Sequence, residues 1–262
     1  MIPAGLRPAT PAADNPRIGL DCGAAQETSM GYDPTGAATN LPGNESATLF
    51  DFRPEPDAVA AVIARLGEDD AASLPLLTPE DCGRLCAAAR GLSYRPGQPV
   101  IGQGETAVRQ DFDVALDFPA GSLFHGFSAA LDRLLAQAIE GLQPPLLEEV
   151  PDFRLNDLIV QRYPRGSFGI TPHRDHLRYH GLVAVVTLCG AAPFFVCADR
   201  QGSAAREVPA PPGHLLLMRA PGYAGAGGRP FHYLGGVTEA RISLGLRYDS
   251  LRPGPSGGGE AR

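Results

Sequence analysis

The chain has 262 residues, of which 44% are hydrophobic, and this suits one sizeable domain with a real core better than two full domains. No stretch approaches the roughly 20 apolar residues needed to cross a bilayer. Prolines interrupt the first 20 residues, so we expect no signal peptide, no membrane partner and a cytoplasmic location. The net charge is −7, yet residues 151–252 carry 12 arginines and 7 acidic residues. The chain has no lysine, so a coding bias toward arginine is the simpler explanation, but this excess also suits an anionic ligand.

The composition divides the chain into three parts. Residues 1–48 are rich in Ala, Pro, Gly, Thr and Asn and lack a periodic apolar face, so we expect a disordered or loosely packed arm. Residues 49–251 are expected to fold as a single domain, with a helical support over 49–150 and a β-core over 151–251. Residues 252–262 are expected to form a flexible tail.

Three helices are predicted in the helical support. The first covers Pro56–Leu66. The second has Thr78 as its N-cap, followed by a proline and two acidic residues in the first turn, and should end at Gly91. The third, Ser122–Leu142, repeats apolar residues at helical spacing, so we expect one of its faces to pack against a large partner.

After residue 151 the pattern changes to short apolar runs separated by Gly and Pro turns, which predict strands. The predicted strands are Leu155–Tyr163, Gly169–Asp175, Leu182–Leu188, Phe194–Ala198, His214–Arg219, Phe231–Leu234 and Arg241–Tyr248. Many short strands with helices placed before them favour an α+β, mainly β fold: a double-sheet jelly-roll core with supporting N-terminal helices.

The first candidate functional residues lie in the predicted strand that ends at residue 175. Residues i and i+2 of a strand point to the same face, so His173 and Asp175 should face inward while Arg174 faces away. His232, on a later predicted strand, is the natural third member. Two imidazoles and one carboxylate form the set that holds Fe(II) with three adjacent positions open for O₂ activation. On these three residues alone, an ordinary surface pair of His173 and Asp175 stays an open alternative.

The last predicted strand places two arginines on one face. That face shows Arg241, Ser243, Gly245 and Arg247. Two arginines inside a small β-core are costly unless they meet anions. A bound dicarboxylate supplies them: Arg241 can bind its distal carboxylate with two hydrogen bonds, Ser243 can add a third, and Gly245 leaves room for ligand or metal. The alternative is a solvent-facing edge strand with ordinary surface arginines.

An Arg-x-Ser motif begins at Arg241, nine residues after His232. Together with the His-x-Asp pair and His232, this motif resembles the pattern of the Fe(II)/2-oxoglutarate-dependent dioxygenase superfamily. The longer pattern from Arg241 to Arg247, with Gln161 and Tyr163 ahead of the pair, is similar to its AlkB-like branch. The resemblance covers roughly residues 155–250. It implies a double-stranded β-helix that binds Fe(II), 2-oxoglutarate and O₂ and that hydroxylates or oxidatively demethylates a substrate. In these terms Arg241 and Tyr163 would hold the C5 carboxylate of 2-oxoglutarate, and Arg247 and Gln161 would lie near its C1 end.

The chain departs from the AlkB-like pattern in three places. Ser243 and Gln161 stand where such chains usually carry Asn, and the gap between Tyr163 and His173 is one residue longer. The overall acidity and the lack of tryptophan also argue against nucleic acid. We therefore expect a small-molecule or protein substrate, with an AlkB-like nucleic-acid demethylase as the alternative. The sequence does not indicate an oligomeric state.

Several polar residues are candidates for substrate contacts. His176, Arg178 and Tyr179 follow the predicted triad and would form either a substrate-facing loop or a solvated polar turn. Arg109 lies in a segment that could serve as a substrate strand or lid. Arg219 flanks a Gly-rich loop that could edge the active-site mouth.

Two other function classes are weighed against the oxygenase. His173, His176 and His180 have the spacing of a helical zinc site, which would suit a zinc hydrolase. However, Pro172 and Gly181 disfavour a helix in this segment. A non-enzymatic jelly-roll binding protein is the remaining alternative, and an intact triad beside an arginine clamp argues against it.

Overall fold

The computed structural model describes residues 50–119, 121–225 and 228–252. The predicted arm, residues 1–48, and residues 253–262 of the predicted tail lie outside the described residues. Within the described ranges the chain forms three α-helices, one short 3-10 helix and thirteen β-strands. No helix in these ranges is long and apolar enough to span a membrane.

The helices confirm the sequence prediction closely. They are α1 Pro56–Asp69, α2 Pro79–Arg90 and α3 Leu123–Glu140. At the start of α2 the Thr78 hydroxyl accepts a hydrogen bond of 3.1 Å from the backbone N–H of Asp81, and Gly91 is the C-cap. The buried face of α3 includes Phe127 and Leu131, which belong to the core cluster that the helices share with one sheet.

The strands form two antiparallel sheets and a separate hairpin. They are β1 Ala71–Pro75, β2 Arg95–Pro96, β3 Val100–Ile101, β4 Val108–Arg109, β5 Asp113–Ala115, β6 Asp157–Tyr163, β7 Ile170–His173, β8 Tyr179–Ala191, β9 Phe194–Cys197, β10 Arg206–Glu207, β11 His214–Arg219, β12 Phe231–Leu234 and β13 Glu239–Asp249. The major sheet has the order β1-β11-β8-β13-β6-β5-β2, and the minor sheet has the order β10-β9-β12-β7. Strands β3 and β4 pair only with each other.

Strand β8 is apolar on both faces because both faces of the major sheet are covered. Leu182 and Val186 belong to the core cluster that includes the helices. Val183 points the other way and belongs to a second cluster, which includes Phe194 and Leu234 from the minor sheet. The helices therefore cover one face of the major sheet and the minor sheet covers the other, as in a jelly roll.

The structure differs from the sequence prediction where tertiary contacts decide the backbone. Strand β1 pairs with β11 and β5 pairs with β6, although both lie in the predicted helical support. The sequence of β1 has no β-branched residue, so its strand state depends on the edge of β11 rather than on local propensity. The strand predicted to reach Asp175 ends at His173, and Asp175 lies in the loop that follows.

Candidate active site

Three side chains from the minor sheet and the loop after β7 converge on one point. His173 on β7 lies directly opposite His232 on β12, with ring centroids 4.3 Å apart. Asp175 Oδ1 is 3.9 Å from His173 Nε2 and 3.8 Å from His232 Nε2. The three groups each offer a ligand atom, all within 4.8 Å of one another, and they are the one such group found among the described residues. We call them the triad.

The donor set of the triad fits a divalent transition metal. Nδ1 of His173 lies 3.0 Å from the carbonyl oxygen of Thr171, and Nδ1 of His232 lies 3.3 Å from that of Pro230. An imidazole that donates from Nδ1 presents the lone pair of Nε2 to a metal. Ligand atoms about 2.1 Å from an ion are about 3.0 Å apart at adjacent octahedral positions. The two distances between Asp175 and the histidines would therefore each need to shorten by about 1 Å.

The electrostatics of the triad favour the protonation state of a metal site. Burial lowers the pKa of His173 to about 3, with a further contribution from His232. Burial also lowers the pKa of His232 and outweighs the attraction of Asp175. Burial by itself would raise the pKa of Asp175, but Arg247 and then the two histidines hold that pKa below its ordinary value. Near neutral pH the site thus offers two neutral imidazoles and one carboxylate, as metal binding requires.

A second element of the site is a buried cation that pairs with no carboxylate among the described residues. The side chain of Arg241 is 4% exposed. Its Nη1 donates to Ser243 Oγ at 2.8 Å and its Nη2 donates to Thr187 Oγ1 at 3.0 Å. None of the ion pairs within the described residues involves Arg241. Hydroxyl groups are neutral, so the charge of this guanidinium is left uncompensated, which is costly in a protein interior.

The residues around Arg241 come from three adjacent strands of the major sheet. Arg241 on β13 pairs with Tyr163 on β6, and Ser243 lies opposite Gln161 on β6 and Thr187 on β8. Alternate residues of a strand share a face, so these side chains all project from the face that the minor sheet covers. Burial raises the pKa of Tyr163 to about 12, so its hydroxyl stays protonated and can donate to an anion.

Arg247 connects the triad to a second buried carboxylate. Its Nη1 is 3.4 Å from Asp157 Oδ2, and its Nε is 3.9 Å from Asp175 Oδ2 without a hydrogen-bond partner. Gly245 makes room for this arrangement. A Cβ there would lie 2.9 Å from Ile159 and 3.3 Å from Arg247 Nη2. The glycine therefore accommodates the arginine side chain, and the prediction that it leaves space for ligand or metal is wrong.

The triad, Arg241 and Arg247 line one cavity between the two sheets. Its volume is about 60 Å³, whereas a single water needs roughly 10–15 Å³, so the cavity has room for several waters. Gln161 and Tyr163 line it as well. Its apolar wall consists of Ile170, Val183, Val185, Phe194, Met218 and Leu234.

The structure adds two residues that the sequence analysis did not select. The uncharged hydroxyl of Thr187 accepts a hydrogen bond from Arg241 and so orients its guanidinium. Phe194 stacks on the ring of His232, with ring centroids 5.7 Å apart and ring planes at 22° to each other. Thr187 could have been found, because it is the one hydroxyl in the apolar run Leu182–Leu188. Phe194 could not, since nothing local distinguishes it from a core residue.

Three of the predicted substrate residues lie beside the triad. His176, Tyr179 and Arg219 line a second, small cavity of about 10 Å³ that Asp175 and His232 also line. The charge of Arg219 is already compensated, because its Nη2 lies 2.5 Å from the carboxylate of Asp70, the C-cap of α1. His176 is exposed.

The other two predicted substrate residues lie elsewhere. Arg178 lines neither of these two cavities and pairs with Asp249 at 3.3 Å. Arg109, on β4, lies over the ring of Phe168 at 5.8 Å and borders a separate surface cleft. Their roles in substrate binding stay predictions.

The zinc-site spacing does not produce a second metal cluster among the described residues. His180 lies on β8 rather than on a helix, and neither it nor His176 joins a group of metal ligands. A larger cleft of about 480 Å³ is lined by Cys82, Cys86 and Cys189, but it contains none of the residues that line the cavity.

Comparison with known proteins yields a likeness in structure alone. No family model matches the chain, and no curated protein matches it significantly. A prolyl-4-hydroxylase from Pseudomonas putida aligns with TM-score 0.52 and 20% identity over 73% of this chain and 98% of its own. A prolyl hydroxylase from Trichoplax adhaerens, solved with a fragment of the hypoxia inducible factor oxygen degradation domain, aligns with TM-score 0.50 and 11% identity over 74% and 90%. The chain thus has the fold of these hydroxylases, which confirms the predicted mainly β jelly roll with supporting helices.

One further neighbour bears on the AlkB-like branch. The structure of OsALKBH1 aligns with TM-score 0.47 and 14% identity over 68% of this chain and 97% of its own. This likeness is too weak to argue from, so the branch stays a sequence-based prediction.

Proposed function

We propose that residues 49–251 form a non-haem Fe(II)- and 2-oxoglutarate-dependent dioxygenase. The observation that carries the proposal is the buried, uncompensated guanidinium of Arg241 in the same cavity as the triad. Such a group indicates that an anionic ligand binds in this cavity. A dicarboxylate that reaches both the metal and Arg241 explains why a single cavity holds both.

The residues present fit both groups. His173, Asp175 and His232 would hold Fe(II) and leave adjacent positions free. Arg241 would bind the distal carboxylate of 2-oxoglutarate with two hydrogen bonds, and Tyr163 would donate another. When bound, the iron and 2-oxoglutarate would supply the oxidising chemistry, in which O₂ converts 2-oxoglutarate to succinate and CO₂ and one oxygen atom hydroxylates a substrate C–H bond.

The protein itself contributes binding, orientation and exclusion of water. Ser243 and Thr187 fix the guanidinium of Arg241, so the cation needs little reorganisation when the carboxylate arrives. Gln161 lines the cavity, and the Nε of Arg247 lies 3.9 Å from Asp175 Oδ2. The apolar wall limits the access of water to the reacting centre.

The substrate class follows the sequence prediction: a small molecule or a protein side chain, which is hydroxylated or oxidatively demethylated. An AlkB-like nucleic-acid demethylase is the alternative, and no contact described above favours it specifically. We also keep the cytoplasmic location as a prediction.

The proposal is tested by O₂-dependent turnover of 2-oxoglutarate. Protein reconstituted anaerobically with Fe(II) is exposed to O₂, and succinate is measured with and without a library of small molecules, peptides and methylated oligonucleotides. We expect succinate to form in the wild type and not in His232→Ala, while His125→Ala, which changes an exposed histidine outside the cavity, behaves as the wild type. Equal succinate release by the wild type and His232→Ala would overturn the proposal.

A further inference from the structure

A row of alternating charges runs from the triad to the protein surface. Its inner end is Asp175, whose Oδ2 lies 3.9 Å from Nε of Arg247. Nη1 of Arg247 lies 3.4 Å from Oδ2 of Asp157, and Oδ1 of Asp157 pairs with Nη2 of Arg252 at 2.7 Å. Asp157 is 6% exposed, whereas the side chain of Arg252 is half exposed. The buried carboxylate of Asp157 therefore joins a cation beside the triad to a cation at the surface.

Strand pairing places Asp157 beside Arg247. The two residues are direct partners in the antiparallel register of β6 and β13, so their side chains project from the same face of the major sheet. The guanidinium lies next to the backbone of Gly245, where an added Cβ would be 3.3 Å from Nη2 and 3.5 Å from Nη1. The ring centroid of Tyr179 lies 4.9 Å from Cζ of Arg247. A sheet backbone, an aromatic ring and two carboxylates thus enclose this guanidinium.

Arg247 is shared unequally between its two carboxylates. Burial lowers the pKa of Arg247, but Asp175, Tyr179 and Asp157 together outweigh burial, so the pKa is raised and the side chain stays charged. The shorter contact of Arg247 is to Asp157, outside the triad, and its longer contact is to Asp175. A distance of 3.9 Å is too long for a hydrogen bond. The carboxylate of Asp175 is therefore free of a direct hydrogen bond from this cation.

A closer pair of Arg247 and Asp175 would oppose metal binding. A guanidinium and a metal ion compete for the same carboxylate, because each binds it through its oxygen atoms. The positive charge of the arginine would also repel the ion. Without the charge of Asp157, Asp175 would be the one carboxylate among the described residues that pairs with Arg247. The position of this arginine between the two carboxylates thus depends on Asp157.

We propose that Asp157 is a positioning residue of the metal site, which holds Arg247 back from Asp175 and so keeps that carboxylate available to the ion. This inference rests on the proposed oxygenase function and adds a residue to its metal site. Replacing a group that supports a metal ligand changes metal affinity about 10- to 100-fold. Neutralising Asp157 should weaken Fe(II) binding by a factor in this range, although Asp157 is not itself a member of the triad.

The test is anaerobic calorimetric titration of the metal-free protein with Fe(II). Asp157→Asn keeps the shape of the side chain and removes its charge, and it should bind Fe(II) about 10- to 100-fold more weakly than the wild type. Asp157→Asn combined with Arg247→Met should recover an affinity within about threefold of the wild type, because the competing cation is gone. This recovery is the readout that a purely structural role of Asp157 would not produce.

Two further variants make the comparison specific. Asp249→Asn is the matched control: it neutralises a carboxylate that is 2% exposed and pairs with Arg178 and Arg252 but not with Arg247, and it should bind Fe(II) as the wild type does. Arg247→Met alone should bind Fe(II) at least as tightly as the wild type, and this measurement does not require Asp157→Asn to fold. Unfolding of each metal-free variant in urea separates a loss of iron affinity from a loss of stability.

The outcomes separate this inference from the proposed function. A wild type that binds no Fe(II) removes the proposed function and this inference with it. A wild type that binds Fe(II), with unchanged affinity in Asp157→Asn, overturns the positioning role alone. A double variant that binds as weakly as Asp157→Asn also overturns it, because Asp157 would then not act through Arg247. So does a loss of about tenfold or more in Arg247→Met, since the arginine would then support iron binding rather than oppose it.

Discussion

Replacing Arg241 by methionine removes the guanidinium and keeps most of the side-chain volume. In the wild type, hydroxyls of Ser243 and Thr187 occupy two of the five N–H groups of the guanidinium, which leaves up to three for a carboxylate. Two charge-assisted hydrogen bonds contribute about 3–6 kcal/mol together. The dissociation constant of 2-oxoglutarate should therefore rise about 10²- to 10⁴-fold. Arg133→Met, on the exposed face of α3, is the matched control and should leave 2-oxoglutarate binding unchanged.

The same substitution should not destabilise the ligand-free fold. Arg241 is buried and forms no ion pair with any residue that the structure describes, so its removal relieves a desolvation cost. We expect the free energy of unfolding in urea, without ligand, to stay within about 1 kcal/mol of the wild type or to rise. Affinity is measured by anaerobic titration of the Fe(II) protein. An unchanged dissociation constant, or a loss of affinity matched by an equal loss of stability, would refute the anion-pocket reasoning.

Two further predictions concern the site. Thr187→Val removes one hydrogen bond that orients Arg241, and 2-oxoglutarate affinity measured by the same titration should fall about tenfold; a change under twofold would show that Thr187 does not position the guanidinium. In the iron-free folded protein the pKa values of His173 and His232 are lowered. As the pH falls below about 6.5, these histidines therefore take up protons in the unfolded chain before they do so in the folded chain. Stability should then decrease by about 1.4 kcal/mol per pH unit for each imidazole. We measure the free energy of unfolding in urea between pH 7.5 and 5.5. Its slope against pH should correspond to about one proton fewer in His232→Gln than in the wild type. An identical slope in the two proteins would contradict this prediction.

The parts of the fold that the sequence predicts well have a local physical cause. The start of α2 depends on a hydroxyl cap, a proline and a glycine within a few residues of each other, and Thr78 and Gly91 act as expected. The meeting of His173 and His232 follows from strand alternation and an antiparallel register. The burial of Arg241 follows from its place on a central strand.

The parts that the sequence could not supply depend on distant segments. Strand β1 forms because it can pair with the edge of β11. No property of the residues in β1 predicts this strand. Asp175 reaches the triad from a loop, although the alternation argument placed it in a strand. The partner of Arg247, Asp157, is 90 residues away in the chain, and only the register of β6 and β13 brings them together. Substrate residues are the least predictable, since loop side chains are oriented by tertiary contacts.

The most direct test of the central claim is anaerobic Fe(II) titration of the metal-free protein, followed by 2-oxoglutarate. The wild type should bind one Fe(II) per chain, and the iron-loaded protein should bind 2-oxoglutarate more tightly than the metal-free protein does. His173→Ala and His232→Ala should each abolish this iron binding, because two ligands alone cannot hold the ion against solvent. Full iron stoichiometry in both variants would contradict the assignment of the triad, and with it the proposed oxygenase.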